Sequence, residues 1–64
     1  MTEQPDIYRS AWTILRHYGA DAPAEAEKRA RDMHDAGDAD GAAFWQRVQG
    51  AIAELIAERA KAED

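Results

Sequence analysis

The sequence predicts an all-α fold, a compact three-helix domain with a long third helix, and three observations carry that reading. Apolar residues recur at helical spacing in three stretches, glycines stand at Gly19 and Gly37 between them, and no stretch alternates with the period of a strand. The connections around the two glycines are too short for anything but helix hairpins. A single domain over residues 1–64 is expected, with helices at about 6–18, 22–36 and 39–62.

In the first stretch Ile7, Tyr8, Ala11, Trp12, Ile14, Leu15 and Tyr18 fall within an arc of about 160°, with Arg9, Ser10, Thr13, Arg16 and His17 opposite. Pro5 or Asp6 opens this helix, and Gly19 is placed to close it in a left-handed conformation. Asp21 is expected to cap the second helix, with Pro23 in the first turn, where its missing N–H had no partner. Ala22, Ala26, Ala30 and Met33 then form a narrow inward stripe of small residues that lets a neighbour approach closely. Oppositely charged residues sit four apart on the outer face, as Glu25–Arg29, Glu27–Arg31 and Lys28–Asp32.

Gly37 ends that run, and Asp38 is placed to cap the third helix, with Asp40 adding negative charge where the helix dipole favours it. Phe44, Trp45, Val48, Ala51, Ile52, Leu55 and Ile56 line one face within about 140°, and Gly50 falls on the solvent side. At about 36 Å this helix is much longer than the first, at about 20 Å, so its last two turns overhang. Trp12 and Trp45 are expected in the core, the alternative being that one of them rings an exposed patch, since tryptophan is enriched at interface hot spots.

Composition bounds the function. Thirteen acidic and eight basic residues give a net charge of −5, the wrong sign for a binder of nucleic acid or anionic membrane that works by bulk charge. There is no cysteine, hence no disulfide, thiolate metal site or thiol nucleophile. Fifteen residues are alanine, so the larger apolar side chains are few and the core is thin, which favours stability through association. The first residues lack a basic segment followed by an apolar one, and the apolar stretch around Ile52 is broken by Glu54, so a cytoplasmic protein with no membrane span is expected.

The candidate sites have simpler explanations. Asp35-Ala36-Gly37-Asp38-Ala39-Asp40-Gly41 looks like a calcium loop, yet with Gly41 at the sixth position the first is Ala36 and the twelfth is Arg47. A helix stop followed by an acidic helix start accounts for the same residues. His17 and His34 lie near the ends of different helices without metal-ligand spacing, and Ser10 lies two turns from His17, so neither a metal site nor a catalytic triad is expected. The third helix opens on two carboxylates, the wrong sign for a recognition helix in a DNA groove. No cofactor and no enzymatic activity are expected.

Asp6-Ile7-Tyr8-Arg9, the turn Gly19-Ala20-Asp21-Ala22-Pro23, Arg29-Ala30, Gly37-Asp38, Asp40-Gly41, and Trp45 followed by Ile52 and Leu55 resemble a group of short, uncharacterised bacterial all-helical proteins. The resemblance implies an all-helical fold and a bacterial cytoplasmic setting, and it transfers no functional residues. The function expected from the residues themselves is a non-enzymatic protein–protein interaction module. The alternative is a small nucleic-acid-linked or antitoxin-like regulator using the Arg9, Arg16, Lys28, Arg29 and Arg31 surface. The candidate interaction surface is Phe44, Ile52, Leu55, Ile56 and Arg59 on the third helix, and the expected occupant is a second copy, in an antiparallel homodimer, or another protein partner.

Overall fold

The computed structural model describes residues 3–62, and every long element in it is helical. Helix α1 spans Glu3–Tyr18, α2 spans Ala22–Asp35 and α3 spans Ala39–Ala62. The first two are not separate helices joined by a loop. A short 3-10 turn, Gly19–Asp21, connects them, so that every residue from Glu3 to Asp35 lies in an α-helical or 3-10 segment. The described residues therefore form two helical runs, the first sharply bent, where the sequence predicts three helices set apart by turns. The bend is at Gly19, whose φ of 56° only glycine adopts without strain. The Ala22 amide then donates to the Gly19 carbonyl, which keeps the joint hydrogen-bonded instead of opening it into a loop.

That joint also changes the start of α2. Asp21 makes no side-chain capping bond, because its own backbone is already helical at φ −85° and ψ −2°. Pro23 lies in the first turn as expected. α1 begins at Glu3, a turn earlier than its apolar pattern.

The turn into α3 is built from backbone bonds. Gly37, at φ 82°, donates its amide to the His34 carbonyl at 3.0 Å, and the Asp38 amide reaches the Met33 carbonyl at 2.8 Å. This pair of bonds closes α2 in a Schellman motif. The same Asp38 opens α3: its carbonyl accepts the Ala42 amide at 3.0 Å, and its carboxylate accepts the Gly41 amide at 2.9 Å.

The core lies where the three helical segments meet. α1 supplies Ile7, Ala11, Ile14 and Leu15, α2 supplies Ala22 and Ala26, and α3 supplies Val48, Ala51 and Ile52. Val48 and Ile52 are the largest side chains wholly withdrawn from solvent. The α2 stripe is buried at Ala22, Ala26 and Ala30, with Met33 half-buried, as its spacing predicts. Trp12 is a correction. It stands at the extreme edge of the α1 arc, where its neighbours cover only part of it, and half of its surface (50%) meets solvent. Tyr18 is 41% exposed at the end of α1, although it lies inside the same arc.

The radius of gyration is 12.0 Å, above the about 11 Å expected of a compact chain this long, and the long axis measures 42 Å against a shortest axis of 15 Å. The excess follows α3, which is exposed at every described position from Ile56 to Lys61. None of the helices is long and apolar enough to cross a membrane, among the described residues.

Candidate functional site

Two clusters of side chains bind the helices to one another. At the N-terminal end of α3, Phe44 and Trp45 stack edge to face, with ring centroids 5.4 Å apart and planes at 82°. The Arg29 guanidinium lies over the Trp45 ring, 5.1 Å from its centroid, and is held there by the Glu25 carboxylate at 2.9 Å. The Glu25 hydrogen bond is the main reason that this guanidinium is held above its ordinary pKa. Further along, the Tyr8 hydroxyl donates to Glu54 at 2.5 Å and ties α1 to α3.

These contacts settle the charged pairs expected on α2. Glu25–Arg29 and Glu27–Arg31 form, the latter at 3.2 Å. No Lys28–Asp32 bridge closes among the described residues. Its order is reversed, base before acid, which is the poorer orientation along a helix.

The residues considered for metal or catalysis stay apart. Asp38 is committed to the α3 cap, and among the described residues the His34 ring pairs with Asp35 alone, its nitrogen 3.9 Å from the carboxylate, on an exposed surface. Among the described residues no three histidine or carboxylate side chains gather in a way that could hold a metal ion.

The surface that does stand out lies between α1 and the second half of α3. Trp12, Leu15, Leu55, Glu58 and Arg59 line an open groove of about 360 Å³. Trp12 forms one wall, Leu55 is half-buried beneath it, and Glu58 and Arg59 make a charged rim. α1 crosses α3 here because Ile7, Ala11, Ile14 and Leu15 are buried, and that register turns Trp12 outward beside Leu55.

Of the five residues expected on the interaction surface, the structure brings two to this groove, Leu55 and Arg59. Ile52 is a correction: it is 0% exposed and belongs to the core, since α1 and α2 both reach that level of α3. Phe44 is a second correction. It packs half-buried against Trp45 and the core, eleven residues and about 16 Å of helix away from Leu55. Ile56 is exposed, at 38%, but stands about 100° round the helix from Leu55 and outside the groove. Trp12 takes the alternative the sequence leaves open, a tryptophan at an exposed patch, and its position at the edge of the α1 arc is the signal that selects it over Trp45.

The chain matches no protein-family model, no curated protein and no solved structure.

Proposed function

We propose that the protein is a non-enzymatic interaction module that works by presenting the Trp12–Leu55 groove and the exposed turns of α3 from Ile56 to Lys61 to another protein chain. One observation carries this reading: a tryptophan with half its surface in solvent walls an apolar groove in a chain whose core is otherwise built from alanines and medium aliphatic residues. A large aromatic left wet costs the free chain hydrophobic stabilisation, and tryptophan is the residue most enriched where partners bury such a cost. Ile56 extends the apolar surface around the helix. The setting proposed is the bacterial cytoplasm, which the resemblance implies.

The nucleic-acid-linked alternative has no observation in its favour. Arg29 and Arg31 are each neutralised by a carboxylate of their own helix, and Arg29 is further engaged by Trp45.

The test is affinity capture from native lysate with the wild-type chain and the Trp12→Glu variant in parallel. Trp12 is exposed enough to be replaced without unfolding the domain, so the variant should keep its helical circular dichroism and lose the captured protein. A wild-type chain that retains no protein, its own copies included, or a variant that retains the same proteins, would sink the reading.

A further inference from the structure

We propose that the joint at Gly19 is a hinge with a second setting, a straight helix from Glu3 to Asp35, in which two copies of this chain exchange their α1 segments. The proposal stands apart from the groove reading, since it concerns how α1 is held and not what the groove binds.

The backbone at the joint is the first argument. Gly19, at φ 56°, is the one residue between Glu3 and Asp35 with a positive φ, and Tyr18, Asp21 and Ala22 around it are already right-handed. Moving Gly19 into the right-handed region, with small adjustments of its neighbours within that region, makes α1 and α2 one helix about 50 Å long. Glycine takes either setting with about equal ease. Little else holds the bend. Gly19, Ala20 and Asp21 are all exposed, and neither Tyr18 nor Asp21 makes a side-chain capping bond. The Ala22 amide would give up its bond to the Gly19 carbonyl and take the Tyr18 carbonyl instead, as a continuous α-helix requires.

Packing is the second argument. A straight chain by itself strips Ile7, Ala11, Ile14 and Leu15 from the core, so the straight setting needs a partner. In a bent run, residues equally far before and after the joint sit level with each other. Two straight runs that cross at a two-fold axis beside Gly19 set the same positions level, one from each copy. Each α1 then takes the place left by the other copy's own α1, against Ala22, Ala26, Val48, Ala51 and Ile52. The contacts are the same ones, made between chains instead of within one. Such an exchange needs no new interface, and a connection this short invites it. The exchanged dimer also rebuilds the groove twice, each time with Trp12 from one copy and Leu55 from the other.

Alanine at this position is the experiment. A Cβ on Gly19 meets nothing within 4 Å, so Gly19→Ala acts through φ alone, penalising the bend and favouring the straight helix. Both hinges of a dimer change, so its dissociation constant should fall about a thousandfold or more. Sedimentation equilibrium should accordingly show the mass passing from 7.1 kDa to twice that value at far lower concentration than in the wild type. Gly19→Asn, whose side chain tolerates the left-handed region, should move the constant much less. The chain has no cysteine, so Asp6→Cys and Asp32→Cys place two spin labels at exposed sites of α1 and α2. With labelled chains diluted into unlabelled ones of the same variant, the labels should lie about 39 Å apart in the dimer, the span of straight helix between them, and closer in the monomer. A Gly19→Ala chain that stays at 7.1 kDa, or loses its helical circular dichroism without dimerising at hundreds of micromolar, overturns the proposal. So do equal effects of alanine and asparagine, and so does a dimer whose labels keep the monomer's separation, which marks association of bent chains. An exchanged dimer that captures no protein from lysate leaves the hinge standing and ends the groove reading alone.

Discussion

The Asp38 carboxylate takes the Gly41 amide at 2.9 Å because Gly41 has no side chain: a Cβ there would come within 2.6 Å of Asp38 Oδ2 and 2.9 Å of the Met33 sulfur. The turn between α2 and α3 therefore depends on an acid and a glycine together. Replacing the acid removes the acceptor of one otherwise unpaired amide at the helix start. Asp38→Ala should lower stability by about 1 kcal/mol, a fall of about 4–8 °C in Tm for a domain of this size. Thermal melting followed by circular dichroism is the check, and an unchanged Tm would show that the cap contributes nothing.

Two glycines within α3 should respond in opposite ways to the same substitution. At Gly50 an added Cβ meets nothing within 4 Å, so Gly50→Ala gains helix propensity without a clash and should stabilise the protein by about 1 kcal/mol. At Gly41 the same methyl displaces the Asp38 cap and the Met33 side chain, and the loss should exceed that gain. The two melts, measured side by side, would refute the steric account if Gly41→Ala proved as stabilising as Gly50→Ala.

Core deletions should rank by burial and not by size. Ile52 is wholly buried, and Ile52→Ala should cost about 2–5 kcal/mol, enough to unfold much of a marginal domain. Trp45 is only half-buried, so Trp45→Ala should cost less than the about 3–5 kcal/mol typical of enclosed aromatics. Chemical denaturation of the two variants gives the order, and a more damaging Trp45→Ala would place the centre of the core nearer Arg29 than Ala51.

Alkali should loosen the α1–α3 contact. The Tyr8 hydroxyl is raised above its ordinary pKa of 10.0, chiefly by the hydrogen bond that it donates to Glu54 and next by the charge of that carboxylate. A group whose folded pKa is raised contributes stability that is complete below its unfolded pKa and is lost as pH rises through the folded one. The contact is thus intact at neutral pH and fails above about 10, where phenolate faces carboxylate. Ultraviolet titration of tyrosine should show one late-titrating phenol that disappears in Tyr8→Phe. A titration curve with no late component, or one that Tyr8→Phe leaves as late, would contradict the Tyr8–Glu54 bond.

The helical character of the chain was legible in the apolar spacing, and so was everything that depends on local chemistry: the left-handed glycines at 19 and 37, the Asp38 cap, the alanine stripe of α2 and the open side of Gly50. What the spacing could not reveal was which part of a wide apolar arc the neighbours would cover. Periodicity puts Trp12 at the edge of the arc and Leu15 near its middle, and the crossing of α1 over α3 decides that the edge is left open. Ile52 was assigned to the surface for the same reason, because the level at which α1 and α2 end along α3 is a tertiary fact. The Gly19 joint reads in the sequence as a short hairpin connection, because a 3-10 turn and a two-residue loop have the same composition.

The alanines buried on α2 make its tolerance to mutation lopsided. Ala22 and Ala26 have almost no side-chain atoms to lose and no rotamers to freeze, so truncation there removes little and leaves little void. Enlargement is another matter, since each added methyl must displace the facing helix or abandon its preferred rotamer. Variation should consequently be filtered in opposite directions on the two sides of one contact: α2 rejects what is bigger, and Val48 and Ile52 opposite it reject what is smaller. A chain organised in this way can drift freely over its solvent faces while the gap between its two helical runs stays fixed to within the width of a methyl group.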